Sequence, residues 1–341
     1  MLGITHLFER VSLTQTQKAK IFKYSQLMVA ENETLVLNDI DKIGKGILMI
    51  THENFVTNSG QNIHVALSGE GVPVILIHGW PEFWMTWKPM ADRLQNQGFR
   101  LIMPDLYGFG DSDKPNGPHT DHGAEFHAKI LLEVIAHYAE RPPIVVGHDV
   151  GAYVMQALAR LAPAQLKGLL FFNCPTPAVG SRWVEGNHVN EIWYQTFHQL
   201  DLAEQLVGYS EDTCRMYFTY MIRHWCYRKN AFDSMMDDWV ENFRKPGALV
   251  GGFNWYRSQN KARLKAINNN ADDHPRIKIP THVYWGRHDP ILKSEWSSFL
   301  GEVFDDVTCD FSEESGHFVH VENPDEASAK LKEFAKKLDM I

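Results

Sequence analysis

"VVGHDVGAY", residues 145–153, is the stretch whose reading decides the fold. Val145 and Val146 lead into Gly147 as the end of a buried strand would. Gly151 and Ala152 carry almost no side chain, so a helix can begin tight against that strand. Strand, sharp turn and helix make an elbow that lifts one side chain clear of the sheet, in the pattern G-x-S-x-G. Here the pattern is Gly147, His148, Asp149, Val150, Gly151, with an acid in place of the hydroxyl.

Outward from the elbow, apolar strands alternate with helices. Residues 47–58 and 62–69 predict an antiparallel hairpin. "VPVILIHG" (72–79) is a short apolar strand of the kind covered on both faces. A helix over 83–97, the strand "RLIMPD" (100–105) and the loop "LYGFGDSDKP" (106–115) follow. The helix over 123–140 leads to the elbow strand (143–149), the elbow helix (152–161) and the strand "LKGLLFFN" (166–173). The alternation predicts an α/β fold with a doubly wound, mostly parallel sheet. After Pro175 it breaks. Residues 176–266, rich in Trp, Tyr, Met, Phe and His, show helical periodicity. It resumes with a strand at 279–286, a helix after Pro290, a strand at 307–313 and a helix over 324–338. The expected organisation is an N-terminal extension (1–45), a first half of the core (46–175), an inserted helical block (176–266) and a second half (267–341).

The 341 residues suffice for such a domain with an insertion. A formal net charge of −9 carries no nucleic-acid footprint. No apolar run approaches the roughly 18 residues needed to cross a bilayer. Glu9 and Arg10 stand where a signal peptide would need an apolar core. Cys174, Cys214, Cys226 and Cys309 are scattered, with neither metal-ligand spacing nor disulfide density. A cytoplasmic protein without a membrane or nucleic-acid partner is expected, with room left for a homodimer.

Three separated segments supply a triad. The nucleophile candidate is Asp149. The acid candidate is Asp289 in "WGRHDP", and the base candidate is His317 in "ESGHFVHVENP". All three follow the carboxyl ends of expected strands, where open α/β sheets build their sites. A serine must be deprotonated to attack, but a carboxylate of unperturbed pKa about 4 is already an anion at neutral pH. It can displace at an sp³ carbon and form an alkyl ester. His317 is then free to activate water against that ester, with Asp289 orienting its ring. An elbow aspartate therefore points to enzymes that open an epoxide or displace a halide. The oxyanion donors expected are the backbone N–H groups of Val150 and of Trp80, in "HGWPEFW" (78–84).

"HGWPE", "PDLYGFGDSDKP", "GHDVGAY", "GRHDP" and "GHFVHVENP" together resemble the α/β-hydrolase-fold epoxide hydrolases and their dehalogenase relatives. The resemblance runs from about Ile47 to the C-terminus. It implies the α/β-hydrolase fold, the order nucleophile, acid, histidine, and a helical insertion acting as a cap. It also implies no cofactor or metal, an epoxide and water as reactants, and a detoxifying role. In that family two cap tyrosines hydrogen-bond the epoxide oxygen. "IWYQTFHQ" resembles the first such segment and places Tyr194; "NWYRSQN" resembles the second and places Tyr256. An alkoxide is a poor leaving group unless protonated, and a phenol can protonate it, whereas halide needs no proton. The haloacetate dehalogenases have a His where this chain has Tyr194, and arginines after the nucleophile that Val150 and Tyr153 do not supply. Some secreted relatives take their acid from the end of the strand before the cap. Here that position falls near Asn173, so Asp289 is preferred.

A haloalkane or haloacid dehalogenase using the same aspartate is the alternative. A binding protein on this fold would have no need of an intact triad. Trp84, Trp193, Phe253 and Trp255 are expected to line an apolar pocket. "HTDHGAEFH" (119–127) has the look of a metal cluster but reads more simply as surface histidines with Asp121 capping a helix. Gly108 and Gly110 read as tight turns, and Asp105 and His148 as structural.

Overall fold

The computed structural model describes residues 50–341; the extension expected over 1–45 lies outside them. Eight strands form one sheet: β1 (Ile50–Val56), β2 (Asn62–Ser68), β3 (Val72–Ile77), β4 (Phe99–Pro104), β5 (Ile144–His148), β6 (Gly168–Phe172), β7 (Thr281–Gly286) and β8 (Val307–Ser312). Their order is β1-β2-β4-β3-β5-β6-β7-β8. β2 pairs antiparallel with β4, and every pairing from β4 to β8 is parallel. Every residue of β3, β5, β6 and β7 is buried, as strands covered on both faces must be. The edge strand β8 alternates between half-buried and exposed positions until Ser312.

Three helices follow the first strands of the parallel sheet: α1 (Lys88–Leu94), α2 (Ala124–Tyr138) and α3 (Val150–Leu161). Between β6 and β7 the regular elements are helices: α4 (His188–Glu191), α5 (Trp193–Phe197), α6 (Asp201–Val207), α7 (Glu211–Trp225), α8 (Met236–Arg244) and α9 (Ala248–Ile267). This is the inserted cap. Then come α10 (Leu300–Val303), α11 (Val319–Glu322) and α12 (Pro324–Lys337). Among the described residues no helix is long and apolar enough to cross a membrane. None of the four cysteines is paired.

Three local expectations differ. The helix expected over 83–97 is a 3₁₀ turn (Trp84–Trp87) followed by α1. Pro89 lies in the first turn of α1, where its missing N–H leaves nothing unbonded, so the α-helix starts there. The helix expected after Pro290 is a 3₁₀ turn (Ser294–Phe299) running into the single turn of α10. Asp121 does not cap α2, whose N-cap is Gly123. Its carboxylate lies instead 3.6 Å from His119 and 3.7 Å from His122.

Candidate active site

β3 lies between β4 and β5, so the chain reverses direction of winding there, and a crevice opens at the carboxyl ends of β3 and β5. Asp149 stands at that point, as the N-cap of α3, with φ 49° and ψ −110°. A non-glycine residue so placed carries strain of about 1–3 kcal/mol, held by its surroundings. Gly151 makes the turn feasible: a Cβ there would lie 2.2 Å from the Ile77 carbonyl oxygen. The carboxylate is therefore thrust above the sheet beside the loop after β3. There the Trp80 N–H donates to its Oδ1 at 3.0 Å. Val150 opens α3, so its amide is one of the N-terminal donors that the helix itself leaves unbonded.

His317 and Asp289 arrive from the loops after β8 and β7. The imidazole Nδ1 is 2.8 Å from Asp289 Oδ2, and Nε2 is 3.8 Å from Asp149 Oδ2, beyond a direct hydrogen bond. Asp289 is fixed by four donors. The Ile291 and Leu292 amides reach Oδ1 at 2.8 and 3.0 Å, while His317 and the Asn173 amide group meet Oδ2. Asn173 thus braces the acid, and its Nδ2 also donates to the carbonyls of Gly316 and His317. Burial alone would lower the His317 pKa. Asp289, through charge and hydrogen bond, and then Asp149 outweigh it and raise it to about 9.

Beneath these residues lies a knot that the sequence did not reveal. Glu82 accepts from the Gly79 amide at 2.6 Å and from Thr86, and faces His148 at 2.8 Å and His320 at 2.9 Å. The other nitrogen of His148 lies 2.8 Å from the His317 carbonyl. Burial pushes the Glu82 carboxyl up, but His148 and His320 overcome this and hold it well below its usual range. The loop after β3, the elbow strand and the loop carrying His317 are tied to one carboxylate. His148 is structural in this sense, and so is Asp105, which gathers His64 and the amides of Trp84 and Asp111.

The cap supplies the roof. Tyr194 from α5 and Tyr256 from α9 stand perpendicular, their ring centroids 5.6 Å apart. Trp80 stacks on Tyr194 at 5.7 Å and meets Tyr256 edge-on at 5.6 Å, so one indole joins floor and roof. Burial, reinforced by nearby groups that include the Asp149 carboxylate, pushes both phenols well above their ordinary pKa and keeps them protonated. Asp149, Tyr194, Tyr256 and Trp255 line one cavity of about 860 Å³, within the usual range for a small-molecule site. Trp84, Trp193 and Phe253 do not line it. Trp84 packs edge-on to His52, Trp193 is 41% exposed beside Phe197 and Tyr217, and Phe253 is stacked on His198 at 4.1 Å. Where α9 meets the core, Gly251 lies on Gly108. A Cβ at 251 would sit 2.0 Å from the Gly108 carbonyl oxygen.

The family described as alpha/beta hydrolase fold matches residues 72–324. The AB hydrolase superfamily protein YfhM of Bacillus subtilis is 26% identical over 300 residues, covering 83% of this chain and 97% of that protein. Epoxide hydrolase 1 of Siraitia grosvenorii is 28% identical over 323 residues, covering 84% and 99%. Among solved structures, the epoxide hydrolase CorEH superposes with a TM-score of 0.74 at 26% identity, covering 85% of this chain and all of that one. With three quarters of its length matched, and with the elbow, sheet order and cap described above, the chain belongs to the α/β-hydrolase fold family.

Proposed function

We propose that this protein is an epoxide hydrolase that works through an alkyl ester on Asp149. The observation that carries the reading is an elbow carboxylate sharing one cavity with two buried phenols. Asp149 Oδ1 is held by the Trp80 amide, which leaves Oδ2 to attack an epoxide carbon. The ring C–O bond breaks, its electron pair goes to the epoxide oxygen, and that oxygen takes a proton from Tyr194 or Tyr256. Forming the ester removes the negative charge of Asp149. That charge is one of the causes of the raised His317 pKa, so its loss lowers the pKa and leaves more of the imidazole in the neutral form that can accept a proton when one must be taken from water. His317 takes a proton from water, whose oxygen adds to the ester carbonyl, and the amides of Trp80 and Val150 receive the oxyanion. Collapse releases the diol and restores Asp149, and the proton on His317 returns to the tyrosinate by way of solvent. Each step uses only these side chains and water. Halide displacement, the alternative, gives the two phenols nothing to do. The names of the similar proteins support the same substrate class.

The test is a single turnover in ¹⁸O-water with enzyme in excess over a styrene-oxide-like epoxide. The first diol should be largely unlabelled, because its new oxygen comes from Asp149. Label mainly in that first diol would mean direct attack by water and would end the ester mechanism.

A further inference from the structure

We infer that the cavity accepts epoxides bearing an anionic group, which Arg263 binds about two helical turns from the reacting carbon. The inference rests on the epoxide-hydrolase reading and adds the substrate's charge to it. Arg263 is seven residues after Tyr256 on α9, and both side chains line the cavity. Seven residues are close to two turns, so the two share a helix face about 10 Å apart along the axis. Burial lowers the Arg263 pKa, against an opposing influence from the phenols of Tyr194 and Tyr153.

Arg263 has no hydrogen-bond or ion-pair partner among the described residues, and its buried Nε donor is unsatisfied. Glu125 and Lys129, which also line the cavity, are exposed to solvent, whereas two further charged groups are occupied. Arg160 donates to the carbonyls of Pro275 and Gln156, and Asp272 is paired with Lys265. Arg257, the more buried arginine of the same helix, is paired with Glu204. A half-buried guanidinium without a partner is the costly arrangement, and a planar, two-oxygen anion matches its fork of donors. A carboxylate separated from the epoxide by five to eight methylenes would reach both groups.

The experiment compares a terminal epoxide carrying such a carboxylate with its methyl ester, on wild type and on Arg263→Gln and Arg263→Lys. Wild type should prefer the acid, chiefly through KM. Arg263→Gln should raise KM for the acid by about 10- to 100-fold, at least tenfold more than for the ester, with Arg263→Lys intermediate. A straight-chain carboxylate of the same length, without an epoxide, gives a second readout through tryptophan fluorescence. Its Kd should weaken in Arg263→Gln by a similar factor. Turnover of the ester with no preference for the acid, or an equal effect of Arg263→Gln on both, would overturn the anion site and leave the epoxide reading standing. Arg263-dependent carboxylate binding with neither epoxide turned over would instead overturn the activity and keep the site.

Discussion

The floor and the roof of the cavity are built by opposite means. On the floor, the carboxylates are held by directional bonds: Asp289 by four donors, Asp149 by the Trp80 amide and a strained turn, and the loops beneath them by Glu82. On the roof, Trp80, Tyr194, His198, Phe253 and Tyr256 meet ring against ring. The Tyr256 hydroxyl makes no hydrogen bond among the described residues, and Tyr194 receives only a 3.5 Å contact from Gln195. Hydrogen bonds fix an atom within tenths of an ångström, whereas apolar burial is non-directional and fixes only a volume. The floor therefore fixes its groups in position, and the roof holds its phenols unengaged within the cavity.

Breaking the floor should have the largest effect. His317→Gln should lower turnover about 10⁴-fold or more, since the second step loses its base. Ester formation should survive, and intact-mass spectrometry should find the protein carrying the mass of one epoxide. A variant that turns over normally and carries no adduct would remove His317 from the mechanism. Breaking the roof should cost less per residue. Tyr194→Phe and Tyr256→Phe should each slow ester formation about 10²-fold, and the double variant should lose nearly all of it. Phenylalanine keeps the rings, so the melting temperature should barely move. Near wild-type diol formation by the folded double variant would make the roof a mere container.

The smallest effect sharpens the comparison through pH. The His317 pKa is raised from 6.5 to about 9, so the native state binds this proton more tightly than the unfolded chain does. Its contribution to stability is whole below pH 6.5 and is lost as pH rises through 9. Urea unfolding at pH 6 and pH 9.5 should show wild type losing, on the order of a few kcal/mol, more than His317→Gln loses. Parallel losses in the two proteins would refute that coupling.

The same division decides what could be read from the sequence. The floor was legible because elbow, loop and triad segments are short and local: "GHDVGAY", "HGWPE", "GRHDP" and "GHFVHVENP" each write their own turn. Glu82 stands inside one of those motifs, yet its role needs residues 79, 86, 148 and 320 to converge, which no spacing announces. The wealth of aromatics in the roof was equally plain, but not the side each one faces. Phe253 is covered by His198, and Trp193 turns outward one residue before buried Tyr194. Arg263 belongs to no motif; its one signal was a spacing of seven from Tyr256, visible only once the helix and its cavity face were known. Asp121 misled because it precedes a helix, whereas Gly123 takes the N-cap position.

The contact of Gly108 with Gly251 has a bearing on how the cavity can change. Peptide touches peptide there, with no side chain between core and cap. The seating of the roof helix is thus set at that point by backbone, the least variable material in the chain. Alanine at 251 would act as a shim under α9 and shift Tyr256, a turn and a half further on, relative to Asp149. Lining residues such as Trp255 can be exchanged to admit other molecules without moving that seat. Substrate range can be retuned from the walls, while the working distance stays pinned by two missing methyl groups.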